Sequence, residues 1–144
     1  MHIMHIAFDQ IGPALEERLT NMTKMTTGRF RERSEKVGLN YGPTFSINKE
    51  IWQRDNEEIY LIDIRGLPAI QAEVESYLVH PCILDACLQS CFIPIVTEDS
   101  FFVPVGFKSI MLRNVPSTKQ LYCHVTADIT TFRKFDVTLM SPSQ

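Results

Sequence analysis

The sequence predicts an α+β fold in which an antiparallel sheet wraps around one central helix. Three observations point there: a single apolar helical period over residues 81–93, several strand-like segments on either side of it, and turn formers between the elements. With 144 residues, 44% hydrophobic and 22% charged, the chain has the material for one domain whose core needs neither disulfides nor metal. A net charge of −3 gives no basic field of the kind that draws a protein onto nucleic acid. No apolar run reaches the roughly 20 residues of a membrane span, and residues 1–8 lack the basic start and long apolar stretch of a signal peptide. The expectation is a soluble, cytoplasmic protein with neither a nucleic-acid nor a membrane partner.

Residues 1–28 show no clear period and contain Gly12-Pro13 and Thr26-Thr27-Gly28, so they read as a linker with one short helix over residues 14–19. Residues 29–37 form a charged helical stretch that Gly38 would end, because glycine relieves the left-handed turn after a helix. The segment from Gly38 to Phe45 is dense in turn formers. Phe45, Ile47 and Ile51 then share a strand face, a polar turn follows at residues 54–57, and residues 59–64 return as the second arm of a hairpin.

The central helix begins at His80-Pro81, since proline at the first helical position gives up an N–H that would have had no partner. Leu84, Cys87, Leu88, Cys91 and Phe92 recur at three- and four-residue steps, Ile83, Ala86 and Ile93 widen the stripe, and Pro94 ends it. Further strands are expected at residues 100–103, 107–113, 121–129 and 135–139. The third alternates most strictly, with Leu121, Cys123, Val125, Ala127 and Ile129 set against Tyr122, His124, Thr126 and Asp128. One largely buried helix among such strands is the hotdog arrangement.

Asp85 and Gln89, four residues apart, lie on one face of that helix within hydrogen-bonding reach. A carboxyl group among Ile83, Leu84, Ala86, Cys87 and Leu88 is costly to bury charged and alone. Either it opens onto a cavity or it carries a proton, as a general acid must; the other reading is a helix-surface residue facing solvent. His80 precedes Pro81 and reads as a helix cap or strand end unless a partner is placed for catalysis. His124 falls on the polar side of its strand and reads as solvated. Tyr41 could turn its hydroxyl into a pocket or pack with Phe45. Cys82, Cys87, Cys91 and Cys123 lack zinc-ribbon or redox spacing and read as small buried hydrophobes, so no metal site is expected.

The segment Gly38-Leu39-Asn40-Tyr41-Gly42-Pro43-Thr44-Phe45 resembles the YGPxF element of polyketide-synthase dehydratase domains and the related animal fatty-acid synthases. His80-Pro81-Cys82-Ile83-Leu84-Asp85-Ala86-Cys87-Leu88-Gln89 is similar to their HPxxLDAxLQ element, and residues 102–107 to the strand segment that follows. The resemblance implies a double hotdog that removes water from a 3-hydroxyacyl thioester held on the phosphopantetheine arm of an acyl carrier protein, with no cofactor bound directly. By it, residues 29–144 are the C-terminal hotdog, Asp85 helps the hydroxyl leave, Gln89 is its hydrogen-bond partner, and Tyr41 stands near the pocket. Gly42, Pro43, His80 and Pro81 become candidate pocket residues. The family's histidine lies in an HxxxGxxxxP element, which none of His2, His5, His80 or His124 matches, so the partners expected are the N-terminal hotdog, the carrier protein and the other domains of a parent synthase. Both ends are accordingly expected to be truncated. A product-template hotdog that cyclises a polyketone, and an inactive scaffold or acyl-binding hotdog, are the alternatives.

Overall fold

The computed structural model describes residues 3–10, 14–36, 38–92, 107–111, 118–128 and 134–141. In chain order these form β1 (Ile3–Gln10), α1 (Ala14–Thr20), β2 (Thr23–Met25), α2 (Thr27–Lys36), β3 (Asn48–Arg54), β4 (Glu57–Asp63), α3 (Pro68–Glu73), α4 (Pro81–Phe92), β5 (Phe107–Met111), β6 (Gln120–Ala127) and β7 (Lys134–Ser141). The strands make one sheet in the order β2-β3-β4-β6-β7-β1-β5. From β2 to β7 every pairing is antiparallel. β1 runs parallel to both β7 and β5, so the sheet is mixed rather than purely antiparallel.

Local chemistry accounts for the elements that frame the site. After α2, Gly38 adopts φ +80°. Its N–H bonds the Glu35 carbonyl at 2.9 Å while Leu39 N–H bonds the Ser34 carbonyl at 2.8 Å, which satisfies two carbonyls the helix end would leave open. The β3–β4 hairpin turns at Asp55, whose φ of 51° an aspartate tolerates better than a bulky residue would. Phe45 belongs to a 3-10 turn over Pro43–Phe45, and the strand starts at Asn48 rather than at Phe45.

α4 lies against one face of the sheet. Its Cys82, Ile83, Ala86, Cys87 and Cys91 join Ile62, Leu121, Cys123, Val125, Val137 and Leu139 in the main core. Small cysteine and alanine side chains dominate this contact and suit close packing of helix on sheet. Leu84 and Leu88, expected on the buried stripe, are half-buried instead. A second cluster covers the opposite sheet face, where Leu15 and Met22, at and just after α1, pack with Ile59 and Met140. Cover on both faces explains why Ile59, Tyr60, Leu61 and Ile62 are all buried without alternation.

The first 28 residues are therefore not a linker. The short helix expected near residue 14 is there, but β1 sits inside the sheet and β2 forms its edge. The reason it was missed is physical: the apolar run of β1 lacks the two-residue alternation of a half-buried strand, and its partners lie more than 90 residues away in sequence. α3 also went unforeseen. The expected strand at 100–103, residues 112–113 of the next one, Ile129 and Pro94 lie outside the described residues.

Candidate active site

The turn carrying Tyr41 and the helix carrying Asp85 are bonded together. Gln89, buried on α4, donates one N–H to Asp85 Oδ2 at 2.7 Å and the other to the Phe45 carbonyl at 2.8 Å. A primary amide has two N–H groups, so its donor capacity is fully used in holding the aspartate and tying α4 to the 3-10 turn. Asn48 adds a second tie through its Nδ2, which donates to the Ala86 carbonyl at 3.1 Å. The turn itself is closed by Phe45 N–H on the Gly42 carbonyl, Ser46 N–H on the Pro43 carbonyl and Ser46 Oγ on the Tyr41 carbonyl.

Asp85 is half-buried, on the α4 face shared with Leu84 and Leu88. Tyr41 lies within its electrostatic reach: burial first, and the Asp85 charge second, push the Tyr41 hydroxyl up to about 12. That phenol therefore remains a proton-bearing donor at neutral pH. Asp85, Gln89 and Tyr41, singled out separately in the sequence, thus form one group.

The remaining candidates divide. Pro43 opens the 3-10 turn and lines a cleft beside Tyr41. Gly42 has φ −71° and open space where a Cβ would stand, so the fold itself does not demand glycine there. His80 is buried and committed to the start of α4: Nδ1 accepts Cys82 N–H at 3.2 Å, Nε2 lies 3.2 Å from Glu73 Oε2, and the ring meets Tyr77 edge-on at 5.0 Å. Its carbonyl accepts the N–H groups of Ile83 and Leu84, as a capping position does. Pro81 follows as the first helical residue.

His124 is not solvated as its strand position suggested. Its Nε2 lies 3.1 Å from Glu57 Oε2, and α1 brings Arg18 within 3.6 Å of the same carboxylate. Burial, outweighing the Glu57 hydrogen bond, pulls the His124 pKa below its usual value. All four cysteines are free and buried. Hydrogen bonding to Cys123 and burial hold the Cys87 thiol well above its ordinary range, and burial does the same for Cys91.

Two depressions flank the site. One is a polar cleft of about 160 Å³ between α2 and the turn, reaching Tyr41, Ser46, Asn48 and Gln89. It continues into a lobe of about 490 Å³ that shares Arg31, Glu35, Tyr41, Ser46 and Lys49. The other is an apolar groove of about 380 Å³ lined by Tyr77, Leu78, Val79, Leu84, Ile110 and Leu139, with Leu78 75% exposed. Neither was legible in the sequence, because each joins segments far apart in the chain.

A sheet packed on a central helix is the hotdog arrangement, and here that helix carries a bonded Asp–Gln pair. The chain belongs to the polyketide-synthase dehydratase family: the family model described as the polyketide synthase dehydratase N-terminal domain matches residues 12–137. A partially reducing polyketide synthase of Talaromyces stipitatus is 32% identical over 97 residues, covering 62% of this chain and 4% of that protein. A reducing polyketide synthase of Alternaria brassicicola is 24% identical over 113 residues, covering 78% and 5%. Among solved structures, the dehydratase domain from the CurF module of curacin polyketide synthase is similar with a TM-score of 0.64 and 19% identity, over 83% of this chain and 43% of that one. The CurJ-module dehydratase domain gives 0.65 and 19%, over 90% and 46%. The chain thus spans less than half of these dehydratase domains and a small part of the two synthases. No described helix is long and apolar enough to cross a membrane.

Proposed function

We propose that the chain supplies the aspartate-bearing half of a dehydratase that removes water from a 3-hydroxyacyl thioester presented by an acyl carrier protein during polyketide synthesis. The observation that carries this reading is the 2.7 Å bond by which Gln89 holds Asp85 on the central helix, beside a tyrosine kept in its protonated form. Elimination requires a base at the α carbon and a proton for the departing hydroxyl. Asp85 serves the second need in its protonated form: the base takes the α proton, the α C–H electrons become the new double bond, the C–O bond breaks, and the hydroxyl leaves as water with the proton of the Asp85 carboxyl.

In this reading the base comes from elsewhere, since none of His2, His5, His80 and His124 stands in the HxxxGxxxxP element that carries the family's histidine. His80 is buried in its capping role and His124 is bonded to Glu57, so neither is offered to a substrate near Asp85. A histidine on the complementary hotdog fills that role in this reading, which assigns the present chain the C-terminal half on the strength of its HPxxLDAxLQ element, although the matching family model is described as the N-terminal domain. The partners follow as that other hotdog, the carrier protein and the remaining synthase domains, in the cytoplasm.

In the full-length synthase, Asp85→Asn is expected to slow dehydration of a carrier-bound 3-hydroxyacyl group by at least about a hundredfold, the scale on which a positioned proton donor contributes. The check is a carrier-protein assay with mass-spectrometric readout. Turnover at the parental rate would overturn the assignment.

A further inference from the structure

We propose that Asn48 is a positioning residue for the dehydration: an irregularity in β3 turns its side chain onto α4, where it sets the height of that helix against the 3-10 turn and so the place of Asp85 beside Tyr41. The proposal rests on the dehydratase reading and adds to it a residue that acts through α4.

A two-residue period would put Asn48 on the other side of the sheet. Ile51 joins the main core beneath α4, whereas Trp52 packs with the second cluster on the opposite face. Glu50 shares the Trp52 side: Lys24 bonds Glu50 Oε1 at 2.9 Å and stands 5.4 Å from the centre of the Trp52 ring. Between Asn48 and Glu50, however, β3 advances two residues while β4 advances one, from Ile62 to Leu61. An extra residue of this kind re-aims a neighbouring side chain. Asn48 thereby reaches α4 and donates through Nδ2 to the carbonyl of Ala86, the residue next to Asp85.

That bond and one made by Gln89 form a reciprocal pair. Gln89 sends an N–H from α4 to the Phe45 carbonyl at 2.8 Å, and Asn48 sends one back to the Ala86 carbonyl at 3.1 Å. On α4 the two anchor points, Ala86 and Gln89, lie about one turn apart. A single point would let the helix pivot, whereas two fix both its rotation and its height. The amide is poorly suited to packing alone. Its Oδ1 is buried and accepts no hydrogen bond from a described residue, and an apolar side chain of the same size would avoid that cost. What Asn48 provides is therefore the N–H that holds α4 in place.

The test pairs stability with kinetics. Asn48→Leu keeps the size and removes donor and acceptor together, so thermal unfolding of the 144-residue chain should stay within about 4 °C of the unsubstituted one. In the full-length synthase the same variant should lower kcat for a carrier-bound 3-hydroxyacyl group roughly tenfold with KM within about twofold, because a misplaced proton donor weakens the transition state rather than binding. The chain by itself gives a readout that needs no activity. Tyr41, whose hydroxyl is held up at about 12 by burial and by Asp85, should ionise at lower pH in Asn48→Leu as α4 draws away from the turn. It should be unmoved in Leu15→Ala, which weakens the opposite face of the sheet. Turnover of Asn48→Leu at the parental kcat, a fall in kcat matched by loss of folded protein, or an unmoved Tyr41 titration would each overturn the proposal. Asp85→Asn is assayed in parallel. If it alone slows the reaction, the dehydratase reading stands and the role of Asn48 falls; if it turns over at the parental rate, the dehydratase reading falls and the Tyr41 titration still decides whether Asn48 holds the geometry.

Discussion

The two sides of α4 solve different problems with the same twelve-residue helix. Toward the sheet, Cys82, Ile83, Ala86, Cys87 and Cys91 are at most 4% exposed and meet aliphatic and thiol neighbours. Their task is to exclude water, and the buried Ser90 hydroxyl beside them donates to the Cys87 carbonyl at 2.6 Å. Toward the 3-10 turn, Asp85 is left half-buried and Gln89 is spent on holding it. A helix can carry both because its period separates them by roughly 100° per residue, so a half-buried carboxyl need not disturb the packing that positions it.

That comparison is sharpest in a pair of variants. Ile83→Ala on the packed side should destabilise the chain by about 2–5 kcal/mol, the cost of removing a buried aliphatic side chain and leaving a cavity. Asp85→Asn should change stability by less than about 1 kcal/mol, as half-exposed substitutions generally do, while removing activity in the parent synthase. Urea unfolding curves of the two variants provide the measurement. Equal destabilisation would mean that Asp85 is a structural residue and the two sides are not distinct.

Gln89→Ala probes the seam between them. It removes both donors and leaves the Phe45 carbonyl and Asp85 Oδ2 without them, so a loss of about 1–3 kcal/mol is expected. If the proposed function holds, dehydration in the parent synthase should fall less than for Asp85→Asn, because the Asp85 carboxyl remains and only its orientation loosens. A Gln89→Ala variant as stable as the unsubstituted chain would show that the Gln89 hydrogen bonds add nothing to the hold between α4 and the turn.

A smaller effect separates the sides by pH. Tyr41 binds its proton more tightly in the folded chain than the ordinary value of 10 for a free phenol, at about 12. A raised folded pKa favours the folded state at pH below 10, and that contribution disappears as pH rises from 10 through 12. Ultraviolet titration should find the Tyr41 signal, assigned by comparison with Tyr41→Phe, ionising near 12, and moving part of the way down in Asp85→Asn. The shift is partial because burial is the larger cause and the Asp85 charge the smaller. An unmoved titration would separate Tyr41 from the aspartate.

The sequence by itself determined the elements whose signals are local. α4 was legible from Pro81 and the helical period, the hairpin from its polar turn between apolar runs, β6 from strict alternation, and the end of α2 from Gly38. The pairing of Asp85 with Gln89 was legible as well, since four residues on a helix amount to one turn. Only the tertiary structure decided the rest. β1 joins the sheet through residues more than 90 positions away; His124 loses its solvent because Glu57 and Arg18 arrive from β4 and α1; and the turn is fastened to α4 by Gln89 reaching a carbonyl 44 residues earlier. Each depends on which segments close against one another, a choice made by burying apolar surface over the whole domain, and a local pattern carries no record of its distant partner.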